Sequence, residues 1–403
     1  MHRIRATRRR SPTGRWHVDA NMKRPLSGIR VVDFSHYAPA AYAAVMLADL
    51  GADVVRVDRI GTPYPDNEDG LSRGKRAIAI DLKQAVGVKI AVELIRRSDV
   101  LVEGFRPGVM ERLGLGPKVA LRMNAGLVYA RVTGWGQTGP LARRAGHEIN
   151  YMAIAGILAL IGRSSDAPIA PPALLGDFAA GGLMAAFGVV SALYWRARSG
   201  RGQVIDSAMV DSLINLGSYF LTADALGAWK ARGTNEIDSG APYYDVYATA
   251  DQRWLAVGAL ESHFYTEFVR GLGLNPTEIP SRDDPENWPR LREQFARIIR
   301  QRSLSDWTAE FAECDACVTP VLELAEIGGH PQNVARRVPR RGPRGLPRPP
   351  PTPRFSGSPA TTVRPEPNPE RDARAILSTL GYKSRKVTQL IANGVVGFPS
   401  PHK

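Results

Sequence analysis

Two short stretches of this sequence carry side chains able to move a proton on and off carbon. One is GHEINY at Gly146–Tyr151 and the other is GDF at Gly176–Phe178. His147 offers an imidazole whose ordinary pKa of ~6.5 lets it accept or donate a proton near neutrality. Asp177 offers a carboxylate, and each group is presented from a glycine-flanked turn. The first stretch follows a glycine-rich loop, TGWGQTGP (Thr133–Pro140), and the second opens a long apolar run from Phe178 to Trp195. Asp177 is expected to begin a helix, where free backbone N–H groups and the positive end of the dipole gather. Taken singly, an Asp at a helix start reads as an N-cap, and a His after Gly reads as structural.

The elements that would position these groups follow from periodicity. Gly28–Phe34 reads as a buried strand, Ala41–Leu50 as a helix ended by Gly51, and Ala52–Arg59 as the next strand. This is a βαβ unit, so a parallel sheet is expected. Further strands are expected at Arg76–Leu82, Val100–Phe105 and Leu127–Val132, with an amphipathic helix from Lys83 to Asp99. The first ~130 structured residues are thus a doubly wound, Rossmann-like α/β domain. Dinucleotide binding with Asp58 on a ribose is the obvious thought, but the glycine fingerprint is absent: the first turn reads Ser35-His36-Tyr37-Ala38-Pro39. Downstream, a helix runs from Asp177 to about Arg198, then a short strand at Gln203–Asp206 and a helix to Trp229. A strand pair at Tyr243–Ala248 and Arg253–Val257, helices near Ser262–Leu272, Trp288–Arg302 and Ser305–Glu313, and a strand through Cys317–Leu322 make a smaller α+β domain. Asp372–Leu380 and Ser384–Ala392 are closing helices.

Composition narrows the function classes. Lys and Arg total 53 against 39 acids, a net charge of +14, which favours an anionic partner. The excess is concentrated in residues 1–21, with six arginines and one acid, and in Arg336–Arg354, with seven arginines and no acid. No nucleic-acid recognition signature accompanies it, so no nucleic-acid partner is expected. The two cysteines, Cys314 and Cys317, make neither a disulfide framework nor a metal site. No membrane span is expected, because the glycines and alanines of Phe178–Trp195 suit tight helix packing. The N-terminal 21 residues lack the apolar core of a secretory signal. They read as a disordered basic extension, with a misread start upstream of Met22 preferred over a transit peptide.

The chain resembles the family III CoA-transferases, and within them the α-methylacyl-CoA racemases, from about Pro25 to Gly394. The segments that carry the likeness are PLSGIRVVDF, LADLGADVVRVDR, DLK at Asp81–Lys83, VEGFRPG at Val102–Gly108, RLGLG, YARVTGWGQTGP, GHEINY, GDF, GAPYYDVY, VGALE at Val257–Glu261 and DACVTPV. GHEINY and VGALE point to the racemase branch. The likeness implies a large α/β domain over 22–207 that binds CoA, a linker helix over 208–240, and a small α+β domain over 241–330. A Pro/Arg-rich linker (331–355) and C-terminal helices returning to the large domain (356–403) would follow. It also implies an interlocked homodimer, a cytoplasmic setting in lipid metabolism, a 2-methyl-branched acyl-CoA as substrate, and neither metal nor redox cofactor.

By the same likeness, His147 and Asp177 would exchange the proton next to the thioester from opposite faces, and Glu261 would orient the imidazole. Burial by the acyl chain would have to oppose the helix dipole for Asp177 to do acid–base work. The CoA contacts would be Arg59, Ile80, Asp81, Leu82, Lys83, Gly104, Phe105, Arg106, Arg112, Gly146 and Tyr151. The chain departs from the family pattern at Glu148, where racemases carry Asp, and at His36-Tyr37-Ala38, where they carry glycines. The rival enzyme reading is a CoA-transferase with Asp177 as nucleophile. From another class, a non-catalytic basic binding protein would show salt-sensitive nucleic-acid binding.

Overall fold

The computed structural model describes residues 24–61, 70–341, 347–358 and 368–398. The basic extension 1–21 lies outside them. The chain divides into two compact units. Unit 1 comprises residues up to Tyr151, Ala173–Ser212 and Arg340 onward; unit 2 comprises Met152–Pro172 and Leu213–Pro339.

Unit 1 begins with β1 (Arg30–Phe34), α1 (Ala38–Asp49), β2 (Asp53–Asp58), β3 (Lys75–Ile80) and α2 (Ala85–Arg96). It continues with β4 (Val100–Glu103), α3 (Val109–Arg112), α4 (Pro117–Met123) and β5 (Val128–Thr133). After α5 (Glu148–Ile154), a helix of π pitch at Leu174–Leu183 runs into α6 (Met184–Ser199) and then β6 (Gln203–Ala208). The strands stand in the order β3-β2-β1-β4-β5-β6, all parallel. Strand order reverses between β1 and β4, which opens a crevice beyond their C-terminal ends.

The alternation of side chains explains why the sheet is covered on both faces. Val32, Val55, Val57, Ile78 and Leu101 face α2 and the closing helices α13 (Pro369–Thr379) and α14 (Ser384–Ala392). Their sequence neighbours Val31, Val54, Val100 and Val102 face α1 and α6, through Ala43, Leu47, Ala185 and Val189. Each fully buried Val, Ile or Leu contributes roughly 1.5–3 kcal/mol, so neither face can stay open. A short β12 (Val396–Gly397) pairs antiparallel with β3 and covers that edge. It is preceded in the chain by β10 (Arg340–Arg341) and β11 (Pro347–Arg348), an antiparallel pair.

The continuous helix Leu174–Ser199 has 26 residues and is long and apolar enough, by length and composition, to cross a membrane. Within this unit it packs on α1: a Cβ at Gly182 would meet Tyr42 Cδ1 at 2.6 Å. Tyr42 also meets Phe178 edge to face at 5.0 Å.

The stretch Met209–Ala225 is two helices, α7 (Met209–Leu216) and α8 (Ser218–Ala225), rather than the single linker helix expected over 208–240. Unit 2 then has an antiparallel sheet of β7 (Tyr244–Ala248), β8 (Trp254–Gly258) and β9 (Val318–Pro320). Against it lie α9 (Ser262–Gly271), α10 (Trp288–Ile299) and α11 (Leu304–Glu310), through Phe268, Phe295 and Trp307. A short α12 (Pro331–Arg336) follows, within what was expected to be linker. Residues 152–172, expected inside the large domain, group with unit 2.

Candidate active site

The His147 turn is held by its own segment. The His147 N–H donates to Asn150 Oδ1 at 3.0 Å, and the His147 carbonyl accepts from Asn150 N at 2.9 Å and Tyr151 N at 3.3 Å. The Tyr151 hydroxyl donates back to the Gly146 carbonyl. Tyr151 in turn stands edge-on to Trp135 of the glycine-rich loop, 4.7 Å between centroids. A Cβ at Gly146 would lie 2.7 Å from Tyr151 Cε1 and 3.0 Å from Trp135 Cζ2. Only glycine therefore lets the two rings close on the turn. His147 itself remains exposed.

The Asp177 turn is held from elsewhere. Asp177 does not begin a helix as expected; the helical turn opens at Leu174, and Asp177 lies inside its π segment. Phe178 N reaches back five residues to the Ala173 carbonyl at 3.3 Å. Single π turns inside helices are frequent at functional sites. Burial raises the Asp177 carboxyl above the ordinary range, and the neighbouring His147 pulls it partly back. Tyr151 is raised by burial and by Asp177, and lowered by Arg106. His147, Tyr151, Asp177 and Arg106 thus share one neighbourhood, on the C-terminal side of the sheet where the crevice opens.

Glu148 is the functional neighbour that sequence reasoning noted only as a departure from the family pattern. Its side chain is buried, at 9% exposure, and its Oε1 accepts from Gly176 N at 2.5 Å. Burial is the first cause of its raised pKa; Asp177 adds to it, and the N–H groups of Gly176, Leu175 and Asp177 oppose it. No spacing rule pairs residues 148 and 176. The available signals were an acid next to a candidate base and a Gly just before Asp177.

The expected CoA contacts line the same rim. Arg59 follows β2, Ile80–Lys83 close β3, Gly104–Arg106 follow β4, and Arg112 ends α3. The turn after β4 is fixed by Glu103, which accepts from Phe105 N at 2.8 Å and from Arg131 Nε at 2.9 Å. The turn after β3 is fixed by Asp81, which accepts from Lys83 N at 3.0 Å, the main reason its carboxyl is held low. Within the sheet, Arg56, Lys75 and Arg131 are paired with Asp58, Asp33 and Glu103. That commits Asp58 to an ion pair rather than a ribose. Arg59, Lys83, Arg106 and Arg112 are exposed, and none of them forms an ion pair with a carboxylate of the described residues.

Glu261 belongs to unit 2. It occupies the N-cap position of α9, yet its side chain makes no capping hydrogen bond. Cys314 and Cys317 are free thiols. Two cavities in unit 2, one lined by Lys230, Trp288 and Arg292 and the other by Asp251, Arg253 and His330, include none of the expected site residues. Among the described residues, no group of three or more His, Cys, Asp or Glu side chains could hold a metal ion.

Comparison with known proteins gives consistent matches. The model of CoA-transferase family III matches residues 26–373. The α-methylacyl-CoA racemase of Homo sapiens is 42% identical over 373 residues, covering 92% of this chain and 97% of that protein. The acetyl-CoA:oxalate CoA-transferase of Acetobacter aceti is 29% identical over 345 residues, 79% of this chain and 86% of that protein. Among solved structures, a CAIB/BAIF family protein from Brucella suis superimposes with a TM-score of 0.79 at 24% identity, over 89% of this chain and 100% of that one.

Proposed function

The chain belongs to CoA-transferase family III, and we propose that within it the protein is an α-methylacyl-CoA racemase. It interconverts the (R) and (S) epimers of 2-methylacyl-CoA thioesters by removing and returning the proton beside the thioester. The observation that carries this reading is a carboxyl raised by burial beside an imidazole, in a chain 42% identical to a racemase over nearly its whole length. A thioester α-proton is weakly acidic, so its removal needs a placed base on one face and a placed acid on the other. A raised Asp177 can hold a proton as well as take one, and the imidazole of His147 is the second acid–base group. The exposed Arg59, Lys83, Arg106 and Arg112, without an ion pair among the described residues, supply fixed positive charge for the phosphates of CoA. Arg106 is stiffened by Pro107 and reaches Tyr151 electrostatically, which ties the CoA end to the acyl end. Protein side chains carry out the whole reaction.

The working form is a homodimer, in which Glu261 of one copy orients the imidazole of the other. Two features support it. Phe187, Tyr194 and Trp195 of α6 are large apolar residues exposed on unit 1, and Tyr219, Leu221 and Leu226 in and beside α8 are exposed on unit 2; a second copy would bury such surface favourably. Glu261 also lacks any capping role.

The CoA-transferase relatives favour one alternative, in which Asp177 attacks the thioester and carries CoA to a second acid. Incubation with (R)-2-methylacyl-CoA separates the two. The racemase generates the (S) epimer with no free acid present. Transfer of CoA to an added carboxylic acid without epimerisation would overturn the assignment, as would a hydroxamate at Asp177 after hydroxylamine.

A further inference from the structure

We infer that Glu148 is a positioning residue for Asp177: its buried carboxylate gathers the backbone N–H groups of the π turn and fixes the carboxyl of Asp177 on its face of the substrate. The inference rests on the racemase reading and deepens it. Three observations carry it. Glu148 Oε1 accepts from Gly176 N at 2.5 Å. The backbone N–H groups of Leu175 and Asp177 also favour the charged form of this carboxylate, lowering its pKa against burial. And a Cβ at Gly176 would lie 2.5 Å from Glu148 Cγ and 3.0 Å from its Oε1, so the turn is shaped around this carboxylate.

The physical logic follows from what a π turn leaves open. The first N–H groups of any helix have no intrahelical acceptor, and a buried N–H without one is costly. Glu148 satisfies them with a charged acceptor, the stronger kind. Because it adjoins His147 in the chain, one residue links the two acid–base turns. The extra methylene of Glu over Asp lengthens the reach to residue 176, and Gly176 provides the room. The role is distinct from that of Glu261, which is assigned to the imidazole.

The test uses the full-length protein and three variants, Glu148→Ala, Glu148→Gln and Glu148→Asp, with two readouts. Amide hydrogen exchange of the peptide spanning residues 174–178 should quicken by on the order of tenfold or more in Glu148→Ala, because the acceptor is gone. In D₂O, the α-proton of the epimer served by Asp177 should exchange on the order of tenfold more slowly, while the epimer served by His147 keeps its rate within about twofold. The serving face is identified beforehand with Asp177→Ala. Glu148→Gln, which still accepts a hydrogen bond, and Glu148→Asp should recover part of both effects. Equal slowing of both epimers would show a merely structural role and overturn the inference, as would unchanged amide exchange in Glu148→Ala. A wild-type protein that exchanges no α-proton would instead sink the racemase reading. The grip on residues 175–177 is then judged by amide exchange alone.

Discussion

The two turns that carry the acid–base pair are built in opposite ways. The His147 turn is local: Asn150 and Tyr151, three and four residues on, bond to residues 146 and 147. The Asp177 turn is long-range: the N–H of its Gly176 is taken by Glu148, 28 residues earlier in the chain. A local turn keeps its shape while its side chain stays exposed, as His147 does. In the Asp177 turn Gly176 is buried and Asp177 half-buried, and burial raises the Asp177 carboxyl. One acid–base group thus stands exposed and the other half-buried, with its carboxyl raised by burial.

The comparison breaks most severely when either acid–base group is removed. His147→Ala and Asp177→Ala should each lose racemisation on the order of 10²-fold or more, yet each should still exchange the α-proton of one epimer. Epimer-resolved exchange checks this; loss of exchange on both epimers in either variant would mean the groups do not act on separate faces. Gly176→Ala comes next. Its Cβ would collide with Glu148 Cγ, and overpacking of this kind costs about 1–3 kcal/mol. Denaturant unfolding should show that loss, together with reduced exchange on the Asp177 face.

Tyr151→Phe should be milder. It removes one hydrogen bond to Gly146 and keeps the ring against Trp135, a loss of about 0.5–1.5 kcal/mol. It should slow the His147 face more than the Asp177 face, the reverse of Glu148→Ala. The smallest effect is in pH dependence. Asp177 is raised in the folded chain, so between its unfolded and folded pKa the native state holds the extra proton. Stability should therefore fall as pH rises through that window. Asp177→Asn lacks the ionisation and should gain on the wild type in melting temperature as pH increases from 4 upward; a constant difference would remove burial as the cause.

Local patterns made much of this molecule readable in advance. Runs such as ADVVRVDR and the turn signals around Gly51 specify a parallel sheet, because apolar alternation and helix caps act within a few residues. For the same reason closing helices are expected at Asp372–Leu380 and Ser384–Ala392, and the structure has them at Pro369–Thr379 and Ser384–Ala392. The π pitch of Leu174–Leu183 was not readable, because the 3.6-residue period of an apolar run does not distinguish it from an α-helix. Nor was the Glu148–Gly176 contact, which no periodicity encodes. Strand β12 escaped notice because two residues carry no pattern; it exists because β3 presents an edge. The rim arginines were named from resemblance. Their chemistry is legible only once the sheet shows which cations, such as Lys75 with Asp33 at 2.8 Å, are already paired.

The most direct test of the account follows a single epimer of a 2-methylacyl-CoA with the wild-type protein in D₂O by proton NMR. The account predicts that the α-proton signal disappears as the opposite epimer grows in, and that both end as α-deuterated thioesters in near-equal amounts with the thioester bond intact. An α-proton that persists while CoA passes to an added acid would contradict it.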